Sequence, residues 1–319
     1  MKGRGGVAGV TLVVGALLVL VPARVVRTQP PTQPPSEPPS YVGEDVCLSC
    51  HQDLRAGYAA TVHAKVLNAA NGTTAESKLG CEACHGPGSA HVAAGGGKGV
   101  GGLLFSGEPL TPDRVRTENA ACLGCHERGA RTLWEGSTHQ QHDVACTSCH
   151  LVMHNESRHA LLAKPSELQT CNQCHLLQPA QIFRNAHMPL RPDVMPTVDG
   201  KMDCSSCHQP HGSVTESLLN RRSVNDTCYS CHAEKRGPFL WQHVPVTENC
   251  LNCHNPHGST QPAMLKIQAP RLCQTCHDTT RHPTDPSLPQ SRFVQGLSCN
   301  NCHIQIHGSN HPSGNFLTR

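Results

Sequence analysis

The stretch Cys250-Leu251-Asn252-Cys253-His254 carries the pattern around which the chain is organised. A Cys-x-x-Cys-His segment is the attachment signature of a c-type haem, in which each of the two thiols adds to one vinyl group of the porphyrin. The histidine directly after the second cysteine is then placed to ligate the iron from the proximal side. The stretch therefore predicts one covalently held haem.

The same five-residue pattern occurs ten times in the 319 residues. The cysteines of the ten copies are Cys47 and Cys50, Cys81 and Cys84, Cys122 and Cys125, Cys146 and Cys149, Cys171 and Cys174, Cys204 and Cys207, Cys228 and Cys231, Cys250 and Cys253, Cys273 and Cys276, and Cys299 and Cys302. The predicted proximal ligands are His51, His85, His126, His150, His175, His208, His232, His254, His277 and His303. Because the copies contain all 20 cysteines, no thiol remains for a disulfide, a nucleophile or a separate metal site. The sequence predicts ten covalently attached haems c and no catalytic thiol.

Two other kinds of site also use Cys-x-x-Cys, namely the structural zinc knuckle and the thioredoxin-type redox pair. Neither requires a histidine directly after the second cysteine, and all ten copies have one. A thioredoxin-type pair also needs a βαβ context and usually occurs once. The motifs therefore favour haem attachment.

The composition indicates a core made of haem rather than of side chains. Aromatic residues are only 3% of the chain, and ten haems leave about 32 residues for each. The haems must then pack against one another and supply the apolar area that offsets chain entropy. The predicted fold class is a multihaem cytochrome c with a haem-packed core, mostly loops with short α-helices and little or no β structure, elongated in shape. Short helical turns should carry the motifs, and the Leu-rich pieces 160–163 and 216–220 are expected to extend some of them.

The formal net charge of +3 changes once the haems are counted. Two propionates and one positive iron centre per haem bring it to about −7 in the oxidised state and about −17 in the reduced state. No basic run with interleaved aromatic residues occurs in the chain, so the sequence predicts no nucleic-acid partner.

The N-terminal region is predicted to be an export signal. Residues 1–23 combine Lys2 and Arg4, an apolar run over 7–21 and a Val-Pro-Ala cleavage site. An uncleaved anchor is the alternative, although the run is short for a membrane span. Haem c is attached after export, so we expect a periplasmic protein, associated with the outer membrane.

Three further segments bear on domain organisation. Residues 24–40 form a Pro-rich linker that favours polyproline II, as a tether or a leader. The Gly-rich piece 94–102 lacks the Ser or Thr that follows Lys in a phosphate loop, and we interpret it as a flexible insert. The 33-residue interval from Cys171 to Cys204 is compatible with two pentahaem halves, 41–190 and 191–319.

The other histidines follow the motifs in a regular way, which makes them candidates for the distal iron ligand. Four follow odd-numbered motifs by 11 to 13 residues, and a fifth is closer; these are His63, His139, His187, His243 and His282. Five follow even-numbered motifs by three to six residues, and these are His91, His154, His211, His257 and His307. The remaining three, His142, His159 and His311, are spares or alternatives to His139, His154 and His307.

Chain length limits which iron each histidine can reach. His208 and His211 are three residues apart, so extended backbone spans at most about 10 Å between them. Two imidazoles on opposite sides of one haem need backbones roughly 12 Å apart. His211, and likewise His257 and His307, should therefore ligate a neighbouring haem, whereas later histidines such as His243 leave the pairing open.

Two imidazoles per iron leave no open position for a substrate, so such haems pass single electrons and have low potentials compared with Met/His haems. The chain is thus predicted to be an electron carrier rather than an enzyme. A multihaem reductase is the competing class, but the pentahaem nitrite reductases carry lysine in place of one motif histidine, and here all ten motifs end in His.

The chain resembles the decahaem cytochromes of the MtrA/DmsE type, from porin–cytochrome complexes, over about 41–319. The resemblance rests on the ten motifs, on CSSCHQPHGS at 204–213, CLNCHNPHGS at 250–259 and CNNCHIQIHGSNHPSG at 299–314. It implies a haem wire held in an outer-membrane β-barrel porin, between periplasmic or inner-membrane donors and an extracellular cytochrome or terminal reductase. It also implies that the motif histidines and the ten distal candidates are the ligands. The alternative function is a soluble periplasmic shuttle or storage cytochrome, or a subunit of a redox enzyme.

Overall fold

The computed structural model describes residues 37–157, 159–182, 185–187, 202–277 and 298–318. The predicted signal segment, most of the Pro-rich linker and His282 lie outside these ranges. Within them, no helix combines the length and apolarity needed to cross a bilayer.

Short helices and loops make up the described part of the chain, as the fold-class prediction expected. The α-helices there are α1 (Glu44–Cys50), α2 (Leu54–Ala59), α3 (Val62–Val66), α4 (Glu82–His85), α5 (Ser89–Ala93), α6 (Pro112–Leu123), α7 (Thr138–Gln141), α8 (Cys146–Cys149), α9 (Glu167–Cys171), α10 (Leu177–Gln181), α11 (Val224–Tyr229), α12 (Val244–Glu248) and α13 (Arg271–Gln274). Single 3₁₀ turns occupy Ser77–Leu79, Val100–Gly102, Gly129–Arg131, Cys204–Ser206, Ala233–Lys235, Cys250–Asn252, Pro262–Met264, Cys299–Asn301 and Gly314–Phe316. The same residues contain isolated bridges but no strand.

Odd- and even-numbered motifs begin in different local structures. The first cysteine of each odd motif lies inside an α-helix that starts before it, in α1, α6, α9, α11 and α13. Three of these helices start at a Ser or Thr N-cap whose side chain accepts a backbone hydrogen bond, namely Thr111, Ser166 and Ser223. Even motifs form a short turn of their own, which begins at the first cysteine or one residue after it.

After three of the even motifs, the following loop folds back and pairs with the same motif. His150, His208 and His254 form antiparallel bridges to Leu162, Leu219 and Leu265. The expectation that 160–163 and 216–220 extend helices is therefore wrong. Both pieces are return segments, because their backbone groups pair with the motif rather than with their own next turn.

The apolar core of the described residues is small. Its buried apolar side chains are Val115, Trp134, Ala145, Leu168, Ile182, Val246 and Leu317. A 34.2 kDa chain would normally bury far more apolar side-chain area to offset its entropy. This agrees with a fold whose core is supplied by haem.

Residues Pro39–Arg319 form one compact unit by their backbone contacts. The proposed boundary between two pentahaem halves falls within 188–201, outside the described residues, and stays a prediction.

The Gly-rich piece 94–102 makes specific contacts. The Val100 carbonyl lies 2.9 Å from His91 Nδ1, and a Cβ on Gly101 would meet the His91 backbone at 2.4 Å. The segment we interpreted as a flexible insert thus packs against a candidate ligand.

Candidate haem-binding sites

Every motif forms one tight turn with the same internal bond. In all ten, the backbone N–H of the proximal histidine donates to the carbonyl of the first cysteine, at 2.8–3.1 Å. Residues three and four apart lie on one face of such a turn. The two thiols and the imidazole of each motif are therefore presented together.

Eight of the ten proximal histidines lie beside a second histidine from another segment. Ring centroids are 5.9–6.3 Å apart in the pairs His51–His91, His63–His126, His139–His175, His150–His211, His187–His232, His208–His257, His243–His277 and His254–His307. Imidazole nitrogens bind a metal at about 2 Å and the ring centre lies roughly 1 Å further back, so two rings that share one ion are about 6 Å apart. The donor set and its spacing fit a metal ion between the two rings of each pair.

The histidine pairs follow a rule that the spacing of the histidines along the chain did not predict. A histidine after an odd-numbered motif pairs with the proximal histidine two motifs later, as His63 does with His126. A histidine after an even-numbered motif pairs two motifs earlier, as His211 does with His150. His91 follows the second motif and pairs with His51 of the first, so the direction of the pairing reverses at this end of the chain.

Among the alternatives for the distal ligand, the rings favour one member in two cases. His139 pairs with His175, while His142 Nδ1 bonds the Thr138 carbonyl of its own turn at 2.7 Å. His307 pairs with His254, whereas His311 Nδ1 accepts from the Ser313 backbone within its own loop.

Two proximal histidines have other surroundings. The ring of His85 has Phe105 as an edge-on neighbour at 5.8 Å, and the candidate His154 places Nε2 3.0 Å from Glu156 Oε1. His303 places Nδ1 against the Phe316 carbonyl, and its candidate partner His282 is outside the described residues.

Backbone carbonyls hold the even-numbered proximal imidazoles from behind. The Nδ1–H groups of His85, His150, His208, His254 and His303 donate to carbonyls in the return segments, those of Leu104, Ala160, Ser217, Ala263 and Phe316. A bond at Nδ1 fixes the tautomer that leaves Nε2 free for a metal, and it orients the ring. The return segments adopt left-handed backbone at or next to each carbonyl, including Ala160, Leu218, Ala263 and Leu317. Such backbone is strained for residues other than glycine, so the surrounding structure must hold it.

Burial keeps several of these imidazoles neutral. It lowers the pKa of His211 to about 4, and the facing His150 adds to the effect. For the same first cause, the pKa values of further histidines are lowered, those of His63, His126, His243, His257 and His307. A neutral imidazole has the free lone pair that metal ligation requires.

The thiols bring successive motifs together. Within each odd–even pair of motifs, the thiols of the two first cysteines are close enough to interact electrostatically. These pairs are Cys47 with Cys81, Cys122 with Cys146, Cys171 with Cys204, Cys228 with Cys250, and Cys273 with Cys299. Second cysteines link each even motif to the next odd one: Cys84 with Cys125, Cys149 with Cys174, Cys207 with Cys231, and Cys253 with Cys276. Each motif thus neighbours the one before it through one thiol and the one after it through the other.

None of the 20 cysteines forms a disulfide. Cys171, Cys204 and Glu167 place their ligand atoms within 4.8 Å of one another, a grouping that could hold a metal ion on its own. Both of its thiols belong to haem motifs, so haem attachment accounts for them first.

Some residues that shape the site escaped the motif analysis. Asn119 and Asn225, each three residues before the first cysteine of an odd motif, accept a hydrogen bond from the first cysteine of the next motif, Cys146 or Cys250. Buried Glu82 accepts from the backbone of Val42, Gly43 and Gly88. The only available sequence signal was the repeated Asn position before Cys122 and Cys228.

Comparison with known proteins agrees with this geometry. The family described as "Doubled CXXCH motif" matches 195–237 and 243–282, and "Cytochrome c554 and c-prime" matches 106–151. The chain is 44% identical to multiheme cytochrome MtrA of Shewanella baltica, over 87% of this chain and 81% of that protein. It is also 29% identical to cytochrome c-type protein NrfB of Escherichia coli, over 45% of this chain and 72% of the relative. Identity to the C-type polyheme cytochrome OmcC of Geobacter sulfurreducens is 25%, over 60% of this chain and 26% of the relative.

Fold, motifs and relatives together define a multihaem c-type cytochrome that binds haem c through its Cys-x-x-Cys-His segments. The chain belongs to the family of multihaem cytochromes that includes MtrA. It is an electron-transfer protein and not an enzyme.

Proposed function

We propose that the chain is a decahaem conduit that carries electrons between the periplasm and an outer-membrane or extracellular partner, in extracellular electron transfer. The observation that carries the proposal is that a thiol of each motif lies beside a thiol of the next motif, from the first motif at Cys47 to the tenth at Cys299. Haems attached to these thiols would follow one another from the first motif to the tenth.

We also propose which side chains hold the haems. The ten motif histidines are the proximal ligands in this proposal, and the eight ring pairs support a distal histidine for every motif except the second and the tenth. Extending the two-motif rule assigns His154 to the second motif. A reversal like that of His91 at the first end assigns His282, which follows the ninth motif, to the tenth. Each distal histidine then serves a haem other than that of its own motif, and the ten assignments close into one cycle.

This arrangement explains what the protein's own residues do in electron transfer. Haem iron supplies the one-electron chemistry. Two imidazoles on each iron would leave no position for a substrate, and ligands drawn from different motifs would tie neighbouring segments together. The Nδ1–carbonyl bonds hold the rings in one orientation. Fixed ligands mean little rearrangement on each electron transfer.

The proposed partners follow from the class and the resemblance. A periplasmic address agrees with covalent haem attachment after export, and the candidate signal is 1–23. The 44% identity to MtrA over most of both chains supports an outer-membrane β-barrel porin and an extracellular cytochrome or terminal reductase on one side. Periplasmic or inner-membrane donors would supply electrons on the other.

The test is electron passage across a membrane. The holoprotein is reconstituted in liposomes with its candidate porin, with a reducible dye inside and dithionite outside, beside liposomes that lack either component. We expect the dye to be reduced only when both components are present. If the protein stays outside and the dye stays oxidised, the soluble periplasmic shuttle is the better description.

A further inference from the structure

Two buried asparagines bridge neighbouring motifs in the same way. Asn225 Oδ1 accepts the backbone N–H of Cys250 at 2.7 Å, and its Nδ2 donates to the carbonyls of Val246 and Thr247 at 3.0 and 3.1 Å. Asn119 Oδ1 accepts from Cys146 at 2.8 Å, and its Nδ2 donates to the Val144 carbonyl at 3.0 Å. The asparagines are 8% and 6% exposed. The same contact therefore occurs at motifs three and four and again at motifs seven and eight.

The chemistry of the contact calls for an amide side chain. One oxygen must accept from a cysteine N–H while the nitrogen of the same group donates to carbonyls just before that cysteine. A carboxylate could only accept, and an aliphatic side chain could do neither. Because the groups are buried, losing their partner would leave them unsatisfied.

The position of each asparagine links this contact to the haem attachment points. Asn225 lies in α11 three residues before Cys228, so its side chain is on the same helix face as that thiol. Its partner, Cys250, is the first attachment residue of the next motif, and the two thiols are within interaction range. One side chain thus ties the backbone of one attachment residue to the helix that carries the other.

The motif pair five and six has a different bridge at nearly the same place. Glu167, in α9, accepts from the backbone N–H of Ser205 and from its hydroxyl, the latter at 2.8 Å. Bridging side chains therefore recur along the chain, while the buried amide form is found at Asn119 and Asn225.

We propose that Asn119 and Asn225 are positioning residues that set the mutual orientation of haems three and four and of haems seven and eight. The inference rests on the proposed electron-transfer function but not on a porin or on transmembrane passage. A thioether is a short link, so a shift of the Cys146 or Cys250 backbone moves the porphyrin edge with it. The electronic coupling within these two haem pairs then depends on the asparagine bridge.

The test measures inter-haem coupling in the isolated holoprotein. Asn225→Leu, Asn119→Leu and the double variant are compared with the wild-type protein by circular dichroism in the Soret band, where coupled haems give an exciton couplet. Haem content by the pyridine haemochrome assay is measured in parallel. We expect each single variant to keep its haems and lose part of the couplet, and the double variant to lose the sum of the two, because the sites are separate.

Asn71→Leu is the matched control. Asn71 is an exposed asparagine that lies outside every Cys-x-x-Cys-His motif. We expect its couplet to equal that of the wild type. An unchanged couplet in fully haem-loaded Asn225→Leu and Asn119→Leu would overturn the proposal. If the leucine variants do not mature, Asn225→Asp carries the test, since it keeps the acceptor and loses the donors; a wild-type couplet there also overturns it.

Discussion

His139 donates a hydrogen bond from Nδ1 to the backbone carbonyl of Pro210, 2.8 Å away across 71 positions of sequence. His187 repeats the relationship with Pro256, at 2.9 Å. In both cases the accepting proline directly precedes another candidate ligand, His211 or His257. A histidine that faces one proximal imidazole is thus hydrogen-bonded to the backbone beside a histidine that faces another.

Gly212 directly follows His211 and allows the backbone there to lie close to Leu133. A Cβ on Gly212, whose φ is +123°, would meet the Leu133 carbonyl oxygen at 1.9 Å. We expect Gly212→Ala to destabilise the holoprotein by about 1–2 kcal/mol for the left-handed backbone and about 1–3 kcal/mol for the overlap. Gly136→Ala, in the same loop as Leu133 with φ +81° and open space around it, should show only the first cost. The measurement is denaturant unfolding, and equal losses in the two variants would contradict the close approach.

All 20 thiols should be consumed by haem. We expect the intact mass of the mature protein to equal the polypeptide plus ten haems, and the denatured protein to have no thiol that reacts with iodoacetamide. A Cys250→Ala and Cys253→Ala double variant should lose one haem mass and expose no new thiol. Reactive thiols, or zinc released on denaturation, would instead point to the knuckle chemistry that the sequence disfavoured.

The haem attachment sites could be predicted from the sequence because each one is formed by residues close together in the chain. Cys228, Cys231 and His232 lie within five residues, and their chemistry depends on one turn. The distal partners are not local. The spacing of the histidines excluded His211 from its own haem, but it could not select His150, since that choice depends on how loops 61 positions apart pack against each other. The wrong helical expectation for 216–220 has the same origin, because the Ser217 carbonyl is committed to His208 Nδ1 at 2.7 Å.

A buried carboxylate holds the beginning of the described fold. Glu82 is 3% exposed and accepts from Val42, Gly43 and Gly88 at 2.8–3.1 Å. Glu82→Gln keeps one oxygen and points an amide N–H at a backbone donor, so we expect a loss of about 1.5–3 kcal/mol for the charge-assisted bond. Hydrogen exchange at the Val42 and Gly43 amides should quicken, while Glu76→Gln, at an exposed site, should leave it unchanged. Unaltered protection in Glu82→Gln would show that the carboxylate does not anchor this segment.

The ring pairs make a prediction about individual haems. His257 faces His208 at a centroid distance of 6.0 Å, so His257→Met should give one haem with Met/His ligation in place of two imidazoles. Thioether ligation raises the reduction potential of a haem. We expect one of the ten haems to move to higher potential in a spectroelectrochemical titration, with a near-infrared sulfur-to-iron charge-transfer band in the oxidised protein. His311→Met is the control, since the His311 Nδ1 accepts from the Ser313 N–H within its own loop and the substitution should change neither signal. If His257→Met titrates like the wild type and lacks the band, His257 is not the distal ligand and the two-motif rule fails at that haem.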